Sequence, residues 1–223
     1  PGLDRGTAVL TTAAQLNCYI HAYGLMHVYK IWKALEYLPL EEVRNGFDIV
    51  DWGCGQGIAT LTLLAWLGKH CPEAATPRRV TLLDASHAAL YRAKCLVERK
   101  LRSRGVDVEA VPTDLSQSSC SNKASLHSSP VVIHMLSNII DAPAISVSAV
   151  AEAISGAERK SYVICTGHSN TDTRATSFQG YLNRGGAELL FKENVSDGAV
   201  LDNGKHFGWD ITVMRCGCTT TAA

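Results

Sequence analysis

The 223 residues suit one large α/β domain, or a domain with a small appendage, and a 46% hydrophobic content can fill a substantial core. Equal numbers of basic and acidic residues, 21 of each, argue against a binder of long duplex nucleic acid, which carries a basic face. Mean hydropathy near zero, with no apolar run approaching the ~20 residues of a membrane span, argues against a helical membrane protein.

The opening Pro1-Gly2-Leu3-Asp4-Arg5 carries no signal-peptide pattern, and the missing initiator Met leads us to expect a trimmed start. Leu16, Ile20, Val28, Trp32 and Leu35 recur at helical spacing and predict a long helix over 11–38. Pro39 breaks it and opens a short turn of helix through Val43, and Asn45-Gly46 is a turn signal. Strands and helices then alternate: strand 47–51, helix 58–67, strand 79–84, helix 86–103 and strand 106–111. The 116–129 stretch, rich in Ser, Asn and Lys, reads as a loop. Strand 130–134, helix 145–157 and strand 161–165 follow, and 187–193 and 209–216 close the chain as two strands. Asp197-Gly198 and Asn203-Gly204 are read as the turn signals between them. No internal repeat is visible. Such alternation predicts an α/β, doubly wound, mostly parallel seven-stranded sheet with a C-terminal antiparallel hairpin. An N-terminal helical segment, 1–45, precedes the α/β domain, 46–223.

Eight cysteines are scattered through loop, helix and strand, as expected for reduced thiols of a cytoplasmic protein. The one close pair, Cys216 and Cys218, has no second ligand pair, so no metal site is expected.

The chemistry gathers at Asp51-Trp52-Gly53-Cys54-Gly55-Gln56-Gly57, which joins the first core strand to its helix. Glycines permit the tight turn and let a ligand approach without a Cβ in the way. The third glycine comes two residues after the second, one fewer than in the dinucleotide fingerprint, and an acid precedes the loop. A carboxylate there repels a pyrophosphate and suits an ammonium group, so both details point away from a nicotinamide dinucleotide.

With its pattern acid-x-Gly-x-Gly-x-Gly, the chain resembles the class I, Rossmann-like S-adenosylmethionine-dependent methyltransferases over roughly 47–216. The resemblance implies that Gly53, Cys54, Gly55 and Gly57 wrap the amino-acid part of S-adenosylmethionine, with Asp51 near its amino group. Asp84, with Ala85 behind it, ends the second strand; it either accepts from the ribose hydroxyls or serves as a helix N-terminal acid. Asp114 and Leu115 end the third strand, where the family meets the adenine; the alternative for Asp114 is a capping aspartate.

The fourth strand ends in His134-Met135-Leu136-Ser137-Asn138, the edge that faces the transferring methyl group in the family. His134 and Met135 are expected beside the cofactor, and His134 is also a base candidate, or a residue whose backbone alone flanks the adenosyl group. Asn138 and Asp141 are candidates for orienting an acceptor, Asp141 otherwise capping a helix, and His168 shares the same sheet edge. The polar run Ser169 to Arg174 reads as a substrate-contacting loop, with Arg174 a candidate anion contact. No Asn-Pro-Pro-Tyr, Asp-Pro-Pro-Tyr or Pro-Cys signature narrows the acceptor. The resemblance implies that segment 1–45 lids the cofactor; Tyr19, Tyr23 and His27 share one face of its helix, and Tyr23 is a candidate lid contact to the cofactor by cation–π attraction, the alternative being a packed aromatic face. The expected function is methyl transfer to a small molecule or an accessible protein or RNA group. The other reading is a non-catalytic cofactor-binding sensor or partner subunit.

Overall fold

A computed structural model describes residues 9–74, 76–102, 104–117, 129–156, 159–169, 172–200 and 206–217. The chain's opening residues, most of the 116–129 stretch, Asn170-Thr171, the Asn203-Gly204 turn and Cys218 lie outside the described residues.

Helix α1 (Ala13–Leu35) begins at a capping box. The Thr12 hydroxyl accepts from the Gln15 amide, and the Gln15 side chain accepts from the Thr12 amide. The helix stops three residues short of the expected end because Pro39 disfavours helical backbone in Leu38. Pro39 then takes the N-cap position of α2 (Leu40–Val43) rather than its first helical one. The core follows as β1 (Phe47–Trp52), α3 (Ile58–His70), a 3-10 turn (Pro72–Ala74), β2 (Arg79–Asp84), α4 (His87–Lys100) and β3 (Asp107–Pro112). It continues with β4 (Val131–Ser137), α5 (Val147–Ser155), β5 (Lys160–Gly167), α6 (Asp172–Arg184), β6 (Glu188–Val200) and β7 (His206–Cys216).

The seven strands form one sheet in the order β3-β2-β1-β4-β5-β7-β6. The first five are mutually parallel, and β7 runs antiparallel to both β5 and β6. Strand β1 is buried along its whole length, as expected of an inner parallel strand covered on both faces. Alternate residues divide between two cores: Ile49, Ile133 and Met135 pack with α1, α3 and α4, whereas Val50, Trp52, Val132 and Leu136 pack with α5 and α6. Because the strand order reverses at β1, with β2 on one side and β4 on the other, a crevice opens at the carboxyl edge of the sheet.

Two expectations need correction. Asp197-Gly198 is no turn: it lies inside β6, at a register irregularity between Val195 and Ala199. A Cβ on Gly198 would fall 2.2 Å from the Trp209 ring, so this glycine makes room for an indole rather than reversing the chain. The run ending at Arg174 is not wholly a loop, since α6 begins at Asp172 and buries Phe178 and Leu182, four residues apart.

Candidate active site

The carboxyl ends of β1 to β4 surround a cavity of about 250 Å³. A smaller chamber of about 30 Å³ adjoins it, and the two share Tyr19, Gly53, Gly55, Gln56 and Ser137 as walls.

Three glycines of the first loop are needed for three different reasons. All have positive φ, at 62°, 52° and 79° for Gly53, Gly55 and Gly57, where an L side chain is strained. A Cβ on Gly53 would meet Ile139 Cδ1 at 2.1 Å, so this glycine lets the loops after β1 and β4 touch. Gly55 has nothing within 4 Å of the same position and opens onto both cavities. Gly57 faces neither: its Cβ would press Ala93 at 3.2 Å, and it serves the packing of α3 on α4. The expected role of Gly57 as a ligand wrapper is therefore corrected to a packing role. Between them Cys54 lines the small chamber, its amide donating to Leu83 O at 2.9 Å.

Asp51 is buried beneath this loop. Its Oδ2 accepts from the Thr60 amide and hydroxyl at 3.2 and 2.7 Å, while Oδ1 has no hydrogen-bond partner among the described residues. Burial pushes its carboxyl up to about 7, against the two Thr60 donors, and the Asp84 charge adds to the rise. Asp84 and Ala85 line the larger cavity. The Asp84 carboxylate accepts from the Gly55 and Ser86 amides, at 2.8 and 2.7 Å, so it braces the glycine loop. Burial raises its pKa, and those two backbone donors oppose the rise. Ser86, not Asp84, caps α4, its hydroxyl accepting from the Ala89 amide. Asp114 and Leu115 form the far wall. The exposed Asp114 carboxylate is turned onto the Ser116 amide at 2.9 Å and the Gln117 side chain at 3.0 Å, bonds that lower its pKa.

The opposite wall comes from Ser137, Asn138, Ile139 and the 142–145 segment, with Val9, Leu10 and Tyr19 above. Asn138 holds a left-handed φ of 56°, a conformation Asn tolerates better than most residues. Its side chain bonds Lys30 on one side and His27 on the other. Tyr19 stacks edge-on to His27 with centroids 5.8 Å apart and touches Tyr23 at 5.2 Å. Burial, then the Asp84 and Tyr23 charges, push Tyr19 up to about 12, so its hydroxyl stays protonated.

Several expected residues sit elsewhere. Tyr23 supports Tyr19 from behind and is not among the residues lining either cavity. His134 is buried on the α5–α6 side, its Nδ1 accepting from Trp52 Nε1 at 3.1 Å, because strand alternation turns it away from the α1 side. Met135 belongs to the opposite core and lines neither cavity. His168 is exposed beyond β5, where its backbone amide donates to Asp141 Oδ2 at 2.8 Å. That bond occupies Asp141, whose capping role falls instead to Ser146 at α5. Arg174 donates to the carbonyls of Ile140 and Ile145 at 2.8 and 2.5 Å and staples the loop after β4.

Sequence reasoning missed Gln56 and Lys30. Gln56 is buried and ties three elements: its amide donates to Leu16 O at 2.9 Å and accepts from Arg92 at 3.0 Å. Lys30 is buried in the stripe His27, Lys30, Ile31 and Ala34, and a lysine at that position of an apolar periodicity was the available signal. Among the described residues no cluster of His, Cys, Asp and Glu is arranged to hold a metal ion, and no helix is long and apolar enough to cross a membrane.

No protein-family model and no curated protein sequence matches the chain. Solved structures do. A methyltransferase dependent on S-adenosylmethionine from Leishmania major aligns with 95% of this chain and 80% of its own, with a TM-score of 0.55 and 13% identity. Magnesium protoporphyrin IX methyltransferase from Synechocystis, solved with S-adenosylmethionine bound, aligns over 97% and 91%, with a TM-score of 0.54 and 14% identity. A third S-adenosylmethionine-dependent methyltransferase, from Clostridium acetobutylicum, aligns over 91% and 99%, with a TM-score of 0.53 and 14% identity. At these identities the likeness is one of fold: the chain has the Rossmann-like fold found in class I methyltransferases.

Proposed function

We propose that this chain is an S-adenosylmethionine-dependent methyltransferase, acting on a small molecule or on an accessible protein or RNA group. One observation carries the reading: a buried carboxylate whose Oδ1 has no hydrogen-bond partner among the described residues, Asp51, lines a small chamber that shares Gly53 and Gly55 as walls with a nucleoside-sized cavity. That pairing suits a ligand with an ammonium at one end and a nucleoside at the other. In this reading Asp51 meets the ammonium, Asp84 lies at the ribose, and Asp114 and Leu115 border the adenine. When bound, the cofactor supplies an electrophilic methyl group on a sulfonium sulfur.

The rings of Tyr19 and the uncharged His27 offer apolar, electron-rich faces toward that end of the cavity. The described part of segment 1–45, from Val9 through α1, acts as a lid over the domain formed by 46–223 and excludes water. Ser137 and Asn138 form the mouth, where an acceptor is oriented; rate enhancement comes from positioning and desolvation rather than from His134, which is packed away. The free cysteines of the described residues suit a reducing, cytoplasmic setting.

Titration calorimetry with S-adenosylhomocysteine and with NAD tests this reading. Heat with the first and none with the second is expected, with the first lost on Gly55→Leu. Absence of binding to either S-adenosylmethionine or its demethylated product would sink it.

A further inference from the structure

Helix α1 places an ammonium where its stripe should be apolar. Lys30 is 2% exposed, and its Nζ donates to Asn138 Oδ1 and, at 3.1 Å, to Gly167 O. The first of these bonds decides which way round the Asn138 amide stands. With Oδ1 held by the lysine, Nδ2 faces His27 Nε2 at 3.0 Å. An amide nitrogen only donates, so Nε2 must be the unprotonated ring nitrogen. The ring proton then sits on Nδ1 and is donated to Ser137 Oγ, 3.3 Å away. Burial, the Lys30 charge and His168 hold His27 down to about 3, so no second proton joins it near neutrality.

We propose that Lys30 is a positioning residue: through Asn138 it fixes His27 as the Nδ1–H tautomer and holds the ring against Tyr19 at the wall of the small chamber. The groups that face Lys30 agree with this. From its own helix comes His27, from the loop after β4 come Asn138 and Asp141, and from β5 and its exit come Cys165, Gly167 and His168. Asp141 is the anion of the set; its carboxylate lies over Gly167, where a Cβ would meet it at 2.8 Å. Burial lowers Lys30 to about 8, and Asp141 and then Cys165 oppose that fall. The buried cation is thus balanced on the side away from the chamber, and the His27 face toward the chamber carries no charge. An Nε2–H tautomer or an imidazolium would instead set an N–H against the Asn138 amide NH2, and the imidazolium would add a positive charge beside a cationic ligand. The value of this arrangement to ligand binding rests on the methyltransferase reading; the hydrogen-bond relay does not.

The test is nitrogen NMR of the full chain labelled at histidine, with the His27 signals assigned by loss in His27→Gln. The unsubstituted protein should show a protonated Nδ1 and a bare Nε2. Lys30→Met frees the Asn138 amide to turn, so the His27 signals should shift toward the Nε2–H form. Affinity for S-adenosylmethionine, which carries the sulfonium, should fall about tenfold. Asn138→Asp keeps an acceptor for Lys30 but presents only acceptors to His27, so it should invert the tautomer to Nε2–H even if Lys30→Met fails to fold. A bare Nδ1 in the unsubstituted protein overturns the proposal, as does a His27 spectrum unmoved by either substitution. Unchanged affinity in Lys30→Met overturns its role in binding. If the spectra move as expected but S-adenosylhomocysteine does not bind the unsubstituted protein, the methyltransferase reading fails and the Lys30 relay stands.

Discussion

Asp51 joins two opposing demands at one carboxylate. Thr60 supplies two donors to its Oδ2 and favours the ionised form, yet burial disfavours it more, leaving the carboxyl near 7. A folded value raised this far above the usual carboxylate range means that the group's stabilising contribution is present in acid. It is lost as pH rises from about 4 through about 7. Ligand binding should have the opposite sign, because an ammonium prefers the ionised carboxylate. S-adenosylhomocysteine should therefore bind about tenfold more weakly at about pH 6 than at about pH 8, following the ionised fraction. Adenosine, which lacks the ammonium, should show no such slope, and Asp51→Asn should abolish it. A flat calorimetric profile in the unsubstituted chain would remove Asp51 from the binding site. The sequence located this residue near the end of a buried strand, where β1 carries it, because an acid at the end of such a run has few positions to occupy. His134 was misplaced for an equally physical reason. The same strand-end argument fixes the height of a side chain along the sheet but leaves open which face it takes. Here alternation set His134 toward Trp52 and α5.

At the scale of elements, the inner strands and the glycine loop could be read directly. Runs such as Phe47 to Trp52 put large apolar residues on both faces and are bounded by turn residues. Helix α6 could not, because only Phe178 and Leu182 carry its buried stripe while Thr173, Thr176, Ser177 and Gly180 weaken its propensity. Asp197-Gly198 misled because a glycine demanded by a neighbouring indole looks the same in sequence as one demanded by a turn. The sequence suggested a lid for α1 but not how it is tied down, since its attachment runs through side chains far apart in sequence: Gln56 to Leu16, and Arg92 to both Gln56 and Asn17. Gln56→Ala should remove the side-chain tie to the Leu16 carbonyl and the acceptor of Arg92, at a cost of about 1–3 kcal/mol. The loss should be local, with faster amide hydrogen exchange in the first turns of α1 and unchanged protection in β1 and β4. Bound S-adenosylhomocysteine should restore part of that protection if α1 closes over the ligand. Uniform loss of protection across the sheet would show instead that Gln56 holds the whole fold rather than the lid.

Across the whole molecule, the two edges of the sheet do different work. The carboxyl edge is lined by strained glycines and a buried acid, whereas the amino edge near β5 is built for cohesion. There Glu42 of α2 accepts from Tyr162 of β5 and pairs with Lys160 at 2.5 Å and Arg215 of β7 at 3.8 Å. Burial pushes the Glu42 carboxyl up, but the Lys160 and Tyr162 bonds and the neighbouring charges outweigh it and hold the pKa below the usual range. Both cations are more than a third exposed, so the pairs themselves are screened, and most of the value lies in the bond to the buried Tyr162. Glu42→Gln should cost about 1 kcal/mol at neutral pH, lowering the melting temperature by roughly 2–4 °C in a chain of this size. A depressed folded value contributes stability above the unfolded value and loses it as pH falls through the folded one. The melting curves of the variant and the unsubstituted chain should therefore converge in acid. Affinity for S-adenosylhomocysteine should not change, since Glu42 lies at the edge away from the cavity. A drop in affinity at unchanged melting temperature would mean that the two edges are coupled and that the division of labour across the sheet is wrong.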